Sequence, residues 1–177
     1  MTNPDLTKNN TKLGGGTDLA FAVVVLAAYF TTFSATRQAT ILQITILIGL
    51  GILYVAIGIY GYAYISHSQN HFYHLAYFAI QLPVAGLIIY FGKGISFNAM
   101  ILLPLAGHSV MLLSQDRMLL VNIAIGLTYL VSEYVLGYKW GEILNSFQIF
   151  LAGQIFIVAF TQIALNEEKN RKEAERL

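Results

Sequence analysis

Residues 143–177 read ILNSFQIFLAGQIFIVAFTQIALNEEKNRKEAERL, and the fold turns on the change of character inside that stretch. Ile143 to Leu165 carries no charge at all, whereas eight of the twelve residues from Asn166 to Leu177 are charged. Twenty-three apolar-rich residues are enough for a helix to cross ~30 Å of hydrocarbon. The residues that follow are good helix formers with no Gly or Pro, so the helix is expected to leave the apolar segment unbroken.

Reading outward, the rest of the chain has the same character as the first half of that stretch. Apolar residues make up 56% of the 177 and charged ones only 11%, with mean hydropathy +0.64. A soluble domain carries about 25% charged residues, so the soluble class is excluded. Further apolar runs occupy 19–36, 41–65, 72–91, 97–113 and 118–138, and 143–165 is the sixth. Long continuous runs without period-two alternation argue for helices and against a transmembrane barrel. The expected fold is all-α: a polytopic bundle of six up-down transmembrane helices with short connections. Residues 18–165 form that domain, after a polar leader at 1–17 that lacks the basic-then-apolar pattern of a cleaved signal peptide.

With an even number of spans both termini share one side. Placing them inside gathers Lys8, Lys12, Arg117, Lys169, Arg171, Lys172 and Arg176 there, against Arg37, Lys93 and Lys139 outside. The positive-inside rule therefore favours cytoplasmic termini in an inner or plasma membrane. Cysteine is absent, which removes disulfides, thiolate metal sites and thiol redox sensing. Net charge is +1 with no basic face, so no nucleic-acid partner is expected. Pro83 and Pro104 fall in adjacent spans, unlike the matched broken helices of an inverted-repeat transporter.

The tail has its own grammar. Glu167 with Arg171 and Glu168 with Lys172 are favourable pairs four residues apart. Ile163, Glu167, Asn170, Ala174 and Leu177 follow a 4-3-4-3 spacing, a coiled-coil seam in which Asn170 would set the register of a homodimer. The alternative is a solvated charged helix end. The pattern stops at Leu177 in mid-repeat, so 166–177 reads as the start of a longer cytoplasmic linker.

Six short-looped spans followed by LNEEKNRKEAERL resemble the membrane sensor part of a bacterial sensor histidine kinase. The resemblance covers the topology and roughly the last fifteen residues. It implies a two-component receptor in which a helical linker couples the last span to a dimerisation and kinase domain downstream. On that reading the chain is an input domain and has no catalytic activity of its own.

Ionisable groups within spans are expensive and usually mark function. His108 lies within span four and His74 just inside span three. If these spans form a hairpin about Lys93-Gly94, residues whose numbers sum to about 187 are level. His108 then faces the level of residue 79, about five residues or ~7–8 Å from His74. Two histidines so offset on neighbouring helices could grip a porphyrin from opposite faces. The expectation is a haem b ligated by His74 and His108, sensing redox state or a diatomic gas. Gly107 would leave flat space for the ring, and His71 and Arg117 would hold the propionates. The simpler alternative is that His108 hydrogen-bonds a neighbouring helix and His74 is interfacial. His67, His71 and His74 alone have near-helical spacing for a transition metal, but the polar break at 66–70 argues against one continuous helix.

Retinal is excluded, because no span contains the lysine a Schiff base needs. Glu133 is expected to snorkel outward, toward Lys139. Asn122, Gln43, Gln81, Gln148, Gln154 and Gln162 are expected to act as interhelical glue. Competing functions are a small transporter or channel subunit with a polar path past Glu133, Asn122 and His108, and a cofactor-free sensor of temperature or membrane thickness.

Overall fold

The computed structural model describes residues 22–28, 40–68, 70–93 and 98–176. The expected leader at 1–17, most of the first span and Leu177 lie outside the described residues. Within them the chain is helical and contains no strand. The helices are α1 (22–28), α2 (Ile41–Ser66), α3 (His71–Phe91), α4 (Leu103–Leu112), α5 (Gln115–Val135) and α6 (Trp140–Ala174). A 3₁₀ segment, Asn98–Leu102, leads into α4.

The helix boundaries follow from local chemistry. Thr40 starts α2 with a capping box, its hydroxyl accepting from Gln43 N while Gln43 Oε1 accepts from Thr40 N. Asn70 caps α3 by accepting from Phe72 N at 3.0 Å. α5 ends at Val135, three residues earlier than the apolar run suggests. Gly137 there adopts φ +85, and the bonds Gly137 N to Tyr134 O and Tyr138 N to Glu133 O close a Schellman turn. A glycine inside the apolar run thus ends the helix that side-chain hydropathy alone would extend.

The fourth span is the other departure. Pro104 has no N–H to donate and sits in the first turn of α4, so the chain before it winds as 3₁₀. Leu113 is already extended. The apolar helical stretch is therefore Ala99–Leu112, about 23 Å long at the usual rises and short of a full ~30 Å crossing. Among the described residues four helices, α2, α3, α5 and α6, are long and apolar enough to cross a membrane.

Packing runs antiparallel between α2 and α3, where Gln81 of α3 donates to Tyr54 O at 3.1 Å. Tyr54 returns a hydrogen bond from its hydroxyl to Ile101 O in the 3₁₀ segment. α3 packs on α5 as well as on α2, with Gly86 against Thr128 and Ser132, and α4 chiefly on α6, with Gly107 against Ile157 and Thr161. The core is centred on α3 and the 3₁₀–α4 segment, where Phe78, Ile88, Ile89, Ile101, Leu102 and Leu105 are sealed. Outward faces are just as apolar: Ile41, Leu42, Ile52, Ile123, Ile149 and Phe156 are all exposed. A water-soluble monomer does not present so much apolar surface, which is the pattern of helices facing lipid.

α6 is continuous over 35 residues, about 52 Å, from Trp140 through the charged segment to Ala174. Lys172 pairs with Glu168 at 2.6 Å as the spacing suggests. Arg171 turns away from Glu167 and lies 3.6 Å from Glu175 instead.

Candidate functional site

The buried polar groups fall into three places, and the first is built around His108. A π-helical turn, Ile57–Gly61, interrupts α2 and precedes Tyr62. Such turns shift the register of the side chains that follow and are frequent at functional sites. Here Tyr62 stacks on the His108 imidazole, ring centres 4.4 Å apart, and its hydroxyl reaches Met111 Sδ at 3.5 Å. Tyr77, one turn beyond His74 on α3, places its hydroxyl 2.8 Å from His108 Nδ1. His108 is thus held by aromatic groups from α2 and α3 in a nearly closed position.

His74 has a different task. Its Nε2 lies 3.2 Å from Ile65 O and 3.1 Å from Ser68 O, so it donates to carbonyls at the end of α2. Its Nδ1 is buried without a hydrogen-bond partner. His71 is exposed and meets His74 edge-on at 5.9 Å. His67 closes on Ala63 O, beyond the last turn of α2, and the break before α3 separates it from the other two. Among the described residues no group of three or more His, Asp or Glu side chains is placed to hold a metal ion.

The structure therefore brings His108 to Tyr77 and Tyr62, and His74 to the carbonyls at the end of α2. Gly107 faces α6, where a Cβ would meet Ile157 and Thr161 at 3.6 Å. Arg117 is half-buried in the first turn of α5.

The second place is a polar junction of α4, α5 and α6. Asn122 Nδ2 donates to Ser109 Oγ at 2.8 Å and to Met118 O at 2.8 Å. Gln154 Nε2 donates to Asn122 O at 2.8 Å and Asn122 Oδ1 at 2.9 Å. Ser109 directly follows His108, so the junction joins the histidine's helix to α6 through two side chains. Gln154 Oε1 is buried with no partner. Above it, Tyr129 stacks on Phe150 at 4.6 Å.

The third is Glu133, which the sequence reading sends outward to Lys139. It is buried, only 7% exposed, and the carboxylate beside Lys139 is that of Glu142, which accepts from the Lys139 backbone N.

Beside His108 on its other flank lies a cavity of about 860 Å³ between α1, α4 and α6. Its walls include Val24, Leu103, Pro104, Met111, Ile157 and Phe160, and Glu167, Glu168 and Arg171 line its charged end.

The sequence reading missed Tyr77 and Tyr62 as partners of His108. The hairpin arithmetic that set His108 level with residue 79 held the clue, since Tyr77 lies two residues from that level. The π turn that delivers Tyr62 has no equivalent sequence signal. No family model matches the chain, and no curated protein or solved structure matches it.

Proposed function

We propose that this chain is the membrane-embedded input domain of a two-component-type receptor. Six helical segments, the short α4 among them, pass through the membrane in alternating directions with both termini cytoplasmic, and α6 carries the signal to a downstream module in a homodimer. The observation that supports this most is the continuity of α6. One helix of about 52 Å runs from Trp140 through the apolar segment into the charged one, so a displacement at its membrane end reaches the other end. Gln154 ties it to Asn122 of α5 through two hydrogen bonds.

The mechanism is a shift of α6 relative to α4 and α5. A stimulus acts only by binding two arrangements unequally. The junction of Asn122, Gln154 and Ser109 is the element such a stimulus would reset, since it sits between His108 and the output helix. Haem b on His74 and His108, with His71 and Arg117 toward the propionates, is the redox form of this proposal. It takes one ring nitrogen of each histidine for iron, and it gives a Soret band in protein expressed with haem supplied.

The test joins residue 177 in frame to a histidine-kinase transmitter and measures autophosphorylation in membranes. Gln154→Leu, which frees α6 from Asn122, is expected to change the basal rate severalfold, while Gln148→Leu on the same helix leaves it unchanged. Equal rates for both variants and the unaltered chain would remove the output role of α6.

A further inference from the structure

The cavity between α1, α4 and α6 has a polarity that the sensor reading does not use. Along α4 and α6 its wall is mostly apolar, with Leu103, Pro104, Ile157 and Phe160, although His108 and Thr161 also line it. Its charged end is formed by Glu167, Glu168 and Arg171, on the charged part of α6. From Ile157 to Arg171 the wall is about 21 Å long at the helical rise. A space that is long, apolar at one end and charged at the other fits an acyl-chain amphiphile.

The charges at this end select the headgroup. Glu168 is bound to Lys172 at 2.6 Å and is neutralised within the helix. Glu167 and Arg171 remain, one of each sign and one turn apart, with Arg171 held only by an exposed contact of 3.6 Å to Glu175. An anionic headgroup would meet Glu167 as well as Arg171, and a cationic one would meet Arg171. A zwitterionic headgroup suits both: phosphate on the guanidinium, which favours bidentate oxyanion contacts, and ammonium on the carboxylate.

We propose that this cavity is a binding site for one zwitterionic aminophospholipid of the bilayer. One acyl chain lies along α4 and α6, its phosphate against Arg171 and its ammonium against Glu167. The proposal goes beyond the receptor reading and stands without it, because it concerns retention of a lipid and not signalling.

The experiment is native mass spectrometry of the purified full chain after incubation with vesicles of phosphatidylethanolamine, phosphatidylglycerol or an equal mixture. One phosphatidylethanolamine per chain is expected, retained at least fivefold over phosphatidylglycerol from the mixture. Ala164→Phe and Ala27→Phe place a ring in the cavity from exposed positions. Both are expected to abolish retention while the thermal unfolding midpoint of lipid-free protein stays within 2–4 °C, the scale of ~1 kcal/mol in a chain this long. Arg171→Ala and Glu167→Ala are expected to erase the headgroup preference. Equal retention of the two lipids, no retained lipid, or full retention by both Phe variants would overturn the proposal. Selective lipid binding without any change in a fused transmitter would leave this site standing and count against the receptor reading alone.

Discussion

α3 and α6 are both apolar enough to cross a membrane, yet they have opposite relations to the rest of the molecule. In its most apolar 18-residue window α3 is 44% buried; in the corresponding window of α6 the figure is 17%. α3 seals His74, Tyr77, Phe78, Gln81, Ile88 and Ile89 against α2, α5 and the 3₁₀ segment. α6 buries only Ile143, Phe150 and Gln154. The difference separates a helix that holds the bundle together from one attached along a narrow strip. In a membrane the exposed side of α6 incurs no hydrophobic penalty, because lipid is as apolar as its side chains.

The largest effect should come from breaking α3. Phe78→Ala removes a ring that is 2% exposed and should cost about 3–5 kcal/mol in unfolding from detergent. Phe156→Ala on α6, 68% exposed, should change the same measurement by less than about 0.5 kcal/mol. Comparable losses at both sites would erase the contrast between the helices.

The junction gives a sharper, smaller comparison. Asn122→Ala strips Gln154 of an acceptor and leaves more of its buried amide unpaired, at about 1–3 kcal/mol. Gln154→Leu removes donor and orphaned oxygen together and should cost under about 1 kcal/mol. The order of the two variants in a thermal melt checks this, and the reverse order contradicts it.

Next, Tyr77→Phe removes one buried hydrogen bond to His108 and should cost about 1 kcal/mol. A larger loss would mean that the pair anchors the whole of α2, α3 and α4. Smallest is Lys172→Ala, which breaks an i,i+4 ion pair at the outer part of α6 for at most about 0.5 kcal/mol.

What was legible in the sequence follows the same divide. Long apolar runs announced α2, α3, α5 and α6, because crossing hydrocarbon constrains composition over twenty residues at once. Where one backbone atom decides, the hydropathy of the run was silent. Gly137 with its positive φ ends α5 at Val135, and Pro104 shortens α4, although both lie within apolar runs. His108 stood out because an imidazole inside a span is costly. Its partners did not, because an aromatic residue in a span is ordinary, and only the fold brings Tyr62 and Tyr77 to the same ring. Glu133 shows the opposite error: proximity to Lys139 in sequence suggested a pair that the turn at Gly137 does not form.

The central claim, that α6 is the mobile output helix of a dimer, is tested most directly by disulfide scanning in native membranes. The chain contains no cysteine, so single substitutions from 161 to 174 report without background. Cross-linking between copies is expected to peak at Ile163, Asn170 and Ala174, and to be minimal at Leu165 and Glu168, which line the cavity. A flat profile along the helix, or maxima at Leu165 and Glu168, would contradict it.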